Sequence, residues 1–241
     1  MRYLSRLILD TRQRQVRRDL GNTHQLHRTV LAAFPQLPPG TLAREQFGLL
    51  YRVEPIVGEA ALLRMLVQSN TLPDWSQLPA GALGPTSDGR GNPAVRSVGE
   101  EYERIGVGAS LLFRLRANPT KRLSDRTPGR ENALLGKRVA LLRESEQLAW
   151  LGRKGEEHGF RLLATELSAD VPAVQAAAQG TERGRRPSRN GVAAMPLCFG
   201  AVLFSGRLEV TDAERFQAAL AGGIGSGKAF GFGLLSVASL G

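Results

Sequence analysis

Residues 2–9, RYLSRLIL, alternate as a strand does, placing Leu4, Arg6 and Ile8 on one side and Tyr3, Ser5, Leu7 and Leu9 on the other. A polar, arginine-rich connection follows. Asn22 can then cap a helix that runs through His24, Leu26, Val30, Leu31 and Phe34, and Gln25 three residues on completes a capping-box pattern. Pro35 and the Pro-Pro-Gly at 38–40 end that helix, because proline lacks the N–H that an interior turn requires. FGLLYRVE (47–54) and LLRMLVQS (62–69) read as two more strands, and beyond a Gly/Pro-rich insert LLFRLRAN (111–118) reads as the fourth strand of a first unit.

The same order recurs in the second half, without a repeat at the level of residues. KRVALL (137–142) is expected to be a strand, SEQLAWLGRKGEEHG (145–159) a helix with Leu148 and Leu151 inward, and FRLLATEL (160–167) a strand. FGAVLFSGRLEV (199–210) follows as a strand. DAERFQAALAGG, whose Asp212 and Glu214 suit the positive end of a helix, and a closing strand GLLSVA complete the set. Strand, helix, two strands, helix, strand, taken twice, specifies an α+β protein of two tandem ferredoxin-like (RRM-like, βαββαβ) domains. Residues 1–119 are expected to form the first, 120–136 a linker or insert, and 137–241 the second. The segments 80–109, 124–136 and 168–196 are rich in Gly, Pro, Ser and Arg and read as loops or partly ordered inserts.

Charge adds what the pattern of elements lacks. The 241 residues carry a net charge of +10, which calls for a negatively charged partner. Arg12, Arg14, Arg17, Arg18 and Arg28 form one block, opposed only by Asp19. A second runs from Arg114 and Arg116 through Lys121, Arg122, Arg126, Arg130, Lys137 and Arg138 to Arg143, and a third is Arg183, Arg185, Arg186 and Arg189. Arginine forks suit bidentate contact with phosphate, and separated blocks suit a long polyanion better than a small metabolite, although scattered surface arginines are the plainer reading. One cysteine, Cys198, cannot form an internal disulfide, nor with His24, His27 and His158 alone a structural zinc site of the usual spacing. A thiol-reducing cytoplasm fits. No window approaches ~18 consecutive apolar residues and the N-terminus is unlike a secretory signal, so neither membrane nor export is expected.

Near the C-terminus Gly222 to Lys228 satisfies G-x-x-x-x-G-K. It lacks the rest of a nucleotide site: Ala229 stands where a hydroxyl would hold magnesium, and the element before it is a helix. KAFGFGLL (228–235) echoes the aromatic signature of RNA-recognition motifs, yet it closes the chain instead of forming an internal strand, so Phe230 and Phe232 fit a core as well as a stacking surface. A glycine loop with one lysine remains. Such a loop can bring backbone N–H groups close to a phosphate, and it fits a tight helix-to-strand turn equally well.

Candidate chemistry is sparse. His158 sits at a helix end and reads as solvated. His24 and His27, three residues apart, share a helical face beside the first arginine block. Imidazole both takes and gives protons near neutral pH, which is what RNA cleavage by its own 2′-hydroxyl needs. Ordinary helix-surface residues would look the same. No tight carboxylate cluster suggests a two-metal nuclease, so a nuclease here is expected to need no metal and no cofactor.

YLSRLILD, RQVRRDLGNTHQLHRTVLAAF, FGLLYRVEP, LVQS with PDWSQLP, FRLRANPTKR, GKRVALL with EQLAWL, and AVLFSGRLEVTD with GIGSGKAFGFGLLS occur in this order over most of the chain, skipping the three inserts. In this combination the sequence resembles the CasE family, the CRISPR RNA endoribonucleases of subtype I-E Cascade complexes. The resemblance implies tandem ferredoxin-like domains and a metal-independent endonuclease that cuts precursor CRISPR RNA at the 3′ base of the repeat hairpin. It implies retention of the product hairpin as a subunit beside other Cascade proteins. The histidine of the family's HRT motif, its general acid/base, falls on His27. The tyrosine that members often carry three residues earlier is His24 here, which leaves the second catalytic role open and keeps a non-catalytic, hairpin-binding scaffold as the alternative. By the same resemblance Arg28 lies in that motif, Arg183, Arg185, Arg186 and Arg189 fall on a basic hairpin that grips the RNA stem, and Lys228 falls in the family's glycine-rich loop.

Overall fold

A computed structural model describes residues 1–38, 40–86, 88–122, 138–166, 168–186 and 195–240, with backbone alone at 169–170, 183–186 and 195–197. The first part runs β1 (Tyr3–Asp10), α1 (Arg14–Leu20), α2 (Thr23–Leu31), α3 (Ala43–Gln46), β2 (Leu50–Ile56), β3 (Glu59–Ser69), β4 (Ala94–Ser97) and α4 (Gly99–Glu103). The rest runs β5 (Ser110–Ala117), β6 (Thr120–Arg122), β7 (Arg138–Ala140), α5 (Glu144–Glu157), β8 (Phe160–Leu162), β9 (Ala164–Thr165), β10 (Ser168–Pro172), β11 (Val174–Arg186), β12 (Met195–Val210), α6 (Ala213–Gly222) and β13 (Leu235–Ser239).

Two antiparallel sheets organise these elements into an α+β fold of two sheet-and-helix units that resemble ferredoxin-like arrangements. The first has the order β2-β3-β1-β4. In the second, β11-β12-β5-β13, the short β8 also pairs with β12, so β8-β12-β5-β13 repeats the order of the first. The second sheet has a helix in each crossover, α5 and α6. In the first, a single 3-10 turn at Trp75–Gln77 stands where the second helix would be. Trp75 fills that place by inserting its indole, whose N–H donates to Ser5 Oγ at 3.0 Å.

Several expectations change. LLFRLRAN does not close the first sheet; it is β5, at the centre of the second, between β12 and β13. Its Phe113, Leu115 and Ala117 face the buried side chains of α5 and α6, Trp150, Leu151, Phe216 and Leu220 among them, and this apolar face decides its sheet. The fourth strand of the first sheet is β4, inside the segment read as a loop. That segment is anchored: the Asn92 side chain accepts from Ile8 N–H at 3.0 Å and donates to the carbonyls of Ile8 and Gly84 at 2.8 Å each. The stretch 168–186 is β10 and the long strand β11 rather than a loop. KRVALL yields only β7, in a two-stranded ribbon with β6. The arginine-rich connection after β1 is α1. Of the insert at 124–136, all residues lie outside those described.

The two sheets meet at β2, β5 and β13. Arg52, 1 % exposed, reaches out of β2 into the second unit, donating to the carbonyls of Arg114 at 3.0 Å and Leu234 at 2.9 Å and to Ser236 Oγ at 3.0 Å. Its Nε pairs with the buried Glu54, which also accepts from Arg114 Nη1 at 3.0 Å. On the other side of the junction Gln68 Nε2 donates to the Leu220 carbonyl at 2.7 Å.

Candidate active site

The helix carrying the histidine pair starts where a cap allows it. Asn22, in extended backbone, accepts the His24 N–H at 3.1 Å. The reciprocal half of a capping box is not made, because Asn22 N–H donates to the Asp19 carbonyl at 3.2 Å and Gln25 Oε1 accepts from Arg28 Nη1 at 3.5 Å. Asp19 does not oppose the arginines around it. Buried on α1, it accepts from Gln15 Nε2 at 2.8 Å and from Thr29 Oγ1 at 2.7 Å, and so locks α1 to α2. Arg12 is taken instead by Asp10 at 2.8 Å.

This clamp turns His27 towards the second unit. Its ring lies 6.5 Å from Tyr51, at 20°, and 6.3 Å from Phe230, at 60°. Nδ1 is buried and has no hydrogen-bond partner among the described residues. Burial pushes the imidazole pKa down to about 4, and the nearby His24 and Arg44 push it the same way. At neutral pH the ring is therefore uncharged and able to accept a proton. Tyr51 is no competing acid. Its hydroxyl donates to the Ala229 carbonyl at 3.2 Å, and burial, with Glu182 adding to it, raises its pKa.

The Ala229 carbonyl belongs to the glycine loop, which follows α6 and turns through a 3-10 segment at Lys228–Phe230 before β13. Gly231 sits at φ +83°, where an added Cβ would lie 3.1 Å from the Tyr51 ring. Only glycine lets the loop lie this close. The two loop aromatics separate. Phe232 is fully buried beneath the Arg116 guanidinium, 4.5 Å from its ring, whereas Phe230 is half-buried and faces His27. Arg116 also donates to Gln179 Oε1 at 2.7 Å and pairs with Glu182, so this cation of the second block ties β5 to β11 and is not offered to solvent. Burial lowers the Lys228 pKa, as do the neighbouring Arg44 and Lys154.

Thus α2, which carries His24, His27 and Arg28, packs on the loop that carries Lys228, with His27 facing Phe230 of that loop. Arg183, Arg185 and Arg186 lie on β11, opposite Cys198, Pro196 and Met195 of β12. That end of the hairpin runs beyond β5, which pairs with β12 only over Val202 to Glu209. Arg189 lies outside the described residues. Sequence reasoning missed Tyr51 and Arg44. Tyr51 was visible only as one member of an alternating strand, and nothing around Arg44 marked it. Among the described residues, no three His, Cys, Asp or Glu side chains are grouped as a metal site would require.

A family model described as "CRISPR associated protein" matches residues 2–239. The chain is 41 % identical over 236 residues to the CRISPR-associated endoribonuclease Cse3 of Thermus thermophilus, covering 98 % of this chain and 99 % of that protein. It is 31 % identical over 241 residues to the CRISPR system Cascade subunit CasE of Escherichia coli, covering 99 % and 100 %. Among solved structures it is similar to CRISPR endoribonuclease Cse3 bound to a 19-nucleotide RNA, with a TM-score of 0.75, 41 % identity, and coverage of 98 % of this chain and 99 % of that one.

Proposed function

This chain belongs to the Cse3/CasE family of CRISPR-associated proteins, and from that membership we propose that it is an endoribonuclease that cleaves precursor CRISPR RNA. In this reading it cuts at the 3′ base of the repeat hairpin without a metal ion and keeps the product hairpin as a Cascade subunit. The observation that carries it is the ring of His27, set on α2 against Phe230 of the glycine loop, with Arg44 close enough to act on it. The relative of known structure holding RNA supports the substrate class.

The chemistry follows from the proton inventory. Neutral His27 takes the proton of the 2′-hydroxyl, and the 2′-oxygen attacks the adjacent phosphorus. The bond from phosphorus to the 5′-oxygen breaks as that oxygen is protonated, leaving a 5′-hydroxyl and a 2′,3′-cyclic phosphate. Cations around the site stabilise the charge that gathers on the non-bridging oxygens. His24, one helical turn before His27, is the candidate for the second proton transfer.

The test is incubation of the chain with the repeat hairpin from its own CRISPR array in EDTA. At least one cut per chain is expected, with cyclic phosphate ends. Binding with no cut would leave a hairpin-holding scaffold. The pH profile checks the base separately. A lowered pKa means the active, uncharged form persists on acidification, so kcat/KM, which reports the free enzyme, should hold from neutrality and fall only as pH approaches about 4. An acid limb at the ordinary histidine value of about 6.5 would assign the chemistry to another group.

The basic hairpin is tested by binding. Replacing Arg185 and Arg186 with alanine should weaken hairpin binding and reduce the salt slope of log Kd by about 1 for each phosphate no longer neutralised. An unchanged slope would leave those arginines without a role in gripping RNA.

A further inference from the structure

Between α1, α2, β2, β11 and the glycine loop lies a hollow of about 260 Å³. Leu20 of α1, Leu26 of α2, Val53 of β2 and Phe230 of the loop wall it, all half-buried, and Thr23 and Tyr51 complete it. It adjoins His27 directly. Tyr51 and Phe230 are both rings that face the imidazole, and Thr23 lies one helical turn before it on α2. We propose that this hollow takes the base of the nucleotide on the 3′ side of the cut, turned out of the RNA stack, and so positions the scissile phosphate at His27; it rests on the RNA-cleaving function proposed above.

Size and lining select a base. The volume falls just below the roughly 300–1,000 Å³ that suits drug-sized ligands, so it admits one base and not a whole nucleotide. Aliphatic and aromatic walls offer nothing to a phosphate, whereas the flat face of a base covers them and releases the water they hold. Phe230, which in the sequence fitted a core as well as a stacking surface, is half-buried, while Phe232 two residues on is fully buried, so the loop gives one ring to each task.

Polar groups meet the edge of the base. Gln179 on β11 accepts from Arg116 Nε through its Oε1 at 2.7 Å, which leaves its amide N–H groups to donate, and Glu182 beyond it is an acceptor. Thr23 is 7 % exposed, and its Oγ1 has no hydrogen-bond partner among the described residues. A buried hydroxyl left in that state is costly, and a polar atom of the base that reaches it removes the cost. The 3′ side follows from the hairpin itself. A base in the stem is held by its pair, whereas the nucleotide beyond the 3′ base of the stem is single-stranded, and an unpaired base costs least to turn out.

The experiment compares kcat/KM for three repeat hairpins: unmodified, abasic at the nucleotide 3′ to the cut, and abasic two nucleotides further on. An abasic ribose after the cut keeps the leaving 5′-oxygen, and the attacking 2′-hydroxyl belongs to the nucleotide before it. The first abasic site should lower kcat/KM by about 5- to 100-fold, the loss of one stacked base. The second should cut like the unmodified RNA. Leu20→Trp, which fills the hollow from α1, should cut the unmodified and first abasic RNAs at one reduced rate, because the base has no place left to enter. Full sensitivity to the first abasic site in Leu20→Trp would mean that the base is read elsewhere and would overturn the proposal. Equal rates on the unmodified and first abasic RNAs with the parent chain, or equal losses at the two abasic positions, would overturn it without any substitution and leave the cleavage function standing. A parent that cuts none of the three would overturn both.

Discussion

Replacing His27 with alanine should slow single-turnover cleavage of the repeat hairpin by about 10²- to 10⁴-fold, the usual contribution of a positioned acid or base, while leaving hairpin affinity within about twofold. The two readouts separate because His27, uncharged in the free protein, offers no cation to a phosphate, so its loss removes a proton acceptor and not a charge. The assay belongs in EDTA, with binding measured on the same preparation to show that the loss of an imidazole beside Tyr51 and Phe230 has not unfolded the junction. Cleavage at the parent rate would remove His27 from the mechanism. His24→Ala grades the second role. A loss comparable to that of His27→Ala would make His24 the partner in proton transfer, and a loss of only a few-fold would confine it to shaping the field around His27.

The second large effect is on stability. Arg52→Ala should destabilise the chain by about 3–5 kcal/mol, the usual result of removing one member of a buried ion pair. Arg52 is 1 % exposed, and its loss leaves Glu54 deprived of one of its two cations and the carbonyls of Arg114 and Leu234 without a donor from the first unit. That is a large part of the roughly 5–15 kcal/mol by which a typical domain is stable. Chemical denaturation at fixed pH measures it. Arg52→Met with Glu54→Leu should recover much of the loss, because no buried carboxylate is then left behind, and Arg114, whose side chain is 47 % exposed, can turn to water. A cost below about 1 kcal/mol would mean that the Arg52 contacts are not what holds the two units together.

Parts of this architecture were legible from local pattern. Alternation located β1, β2 and β3, the cap at Asn22 located the start of α2, and the acidic Asp212 and Glu214 marked the start of α6, where Asp212 proves to be the cap. What misled was segment composition. Residues 80–109 and 168–186 look like loops because Gly, Pro, Ser and Arg are poor strand formers by themselves, yet β4 and β11 exist because a neighbouring strand pairs with their backbones. The same holds for LLFRLRAN. Its period announced a strand, but only packing against α5 and α6 assigned that strand to the second sheet. Not all of the +10 faces outward: Arg52 and Arg116 are buried against carboxylates, and the half-exposed Arg114 pairs with Glu54.

The sequence by itself determined the class of fold, the helix that carries His24 and His27, the polyanionic character of the partner and, through ordered motifs, the family. These rest on periodicity, caps, charge and residue identity, which are local or additive along the chain. Only the tertiary structure decided that burial holds His27 neutral, that Tyr51 pins the glycine loop, and that Arg44 and Lys154 both lie close enough to Lys228 to lower its pKa. Those properties depend on burial and on groups far apart in the chain, Tyr51 and Ala229 being 178 residues apart. Desolvation and charge act through space, and the spacing of residues along a chain does not encode which of them will share a dry site.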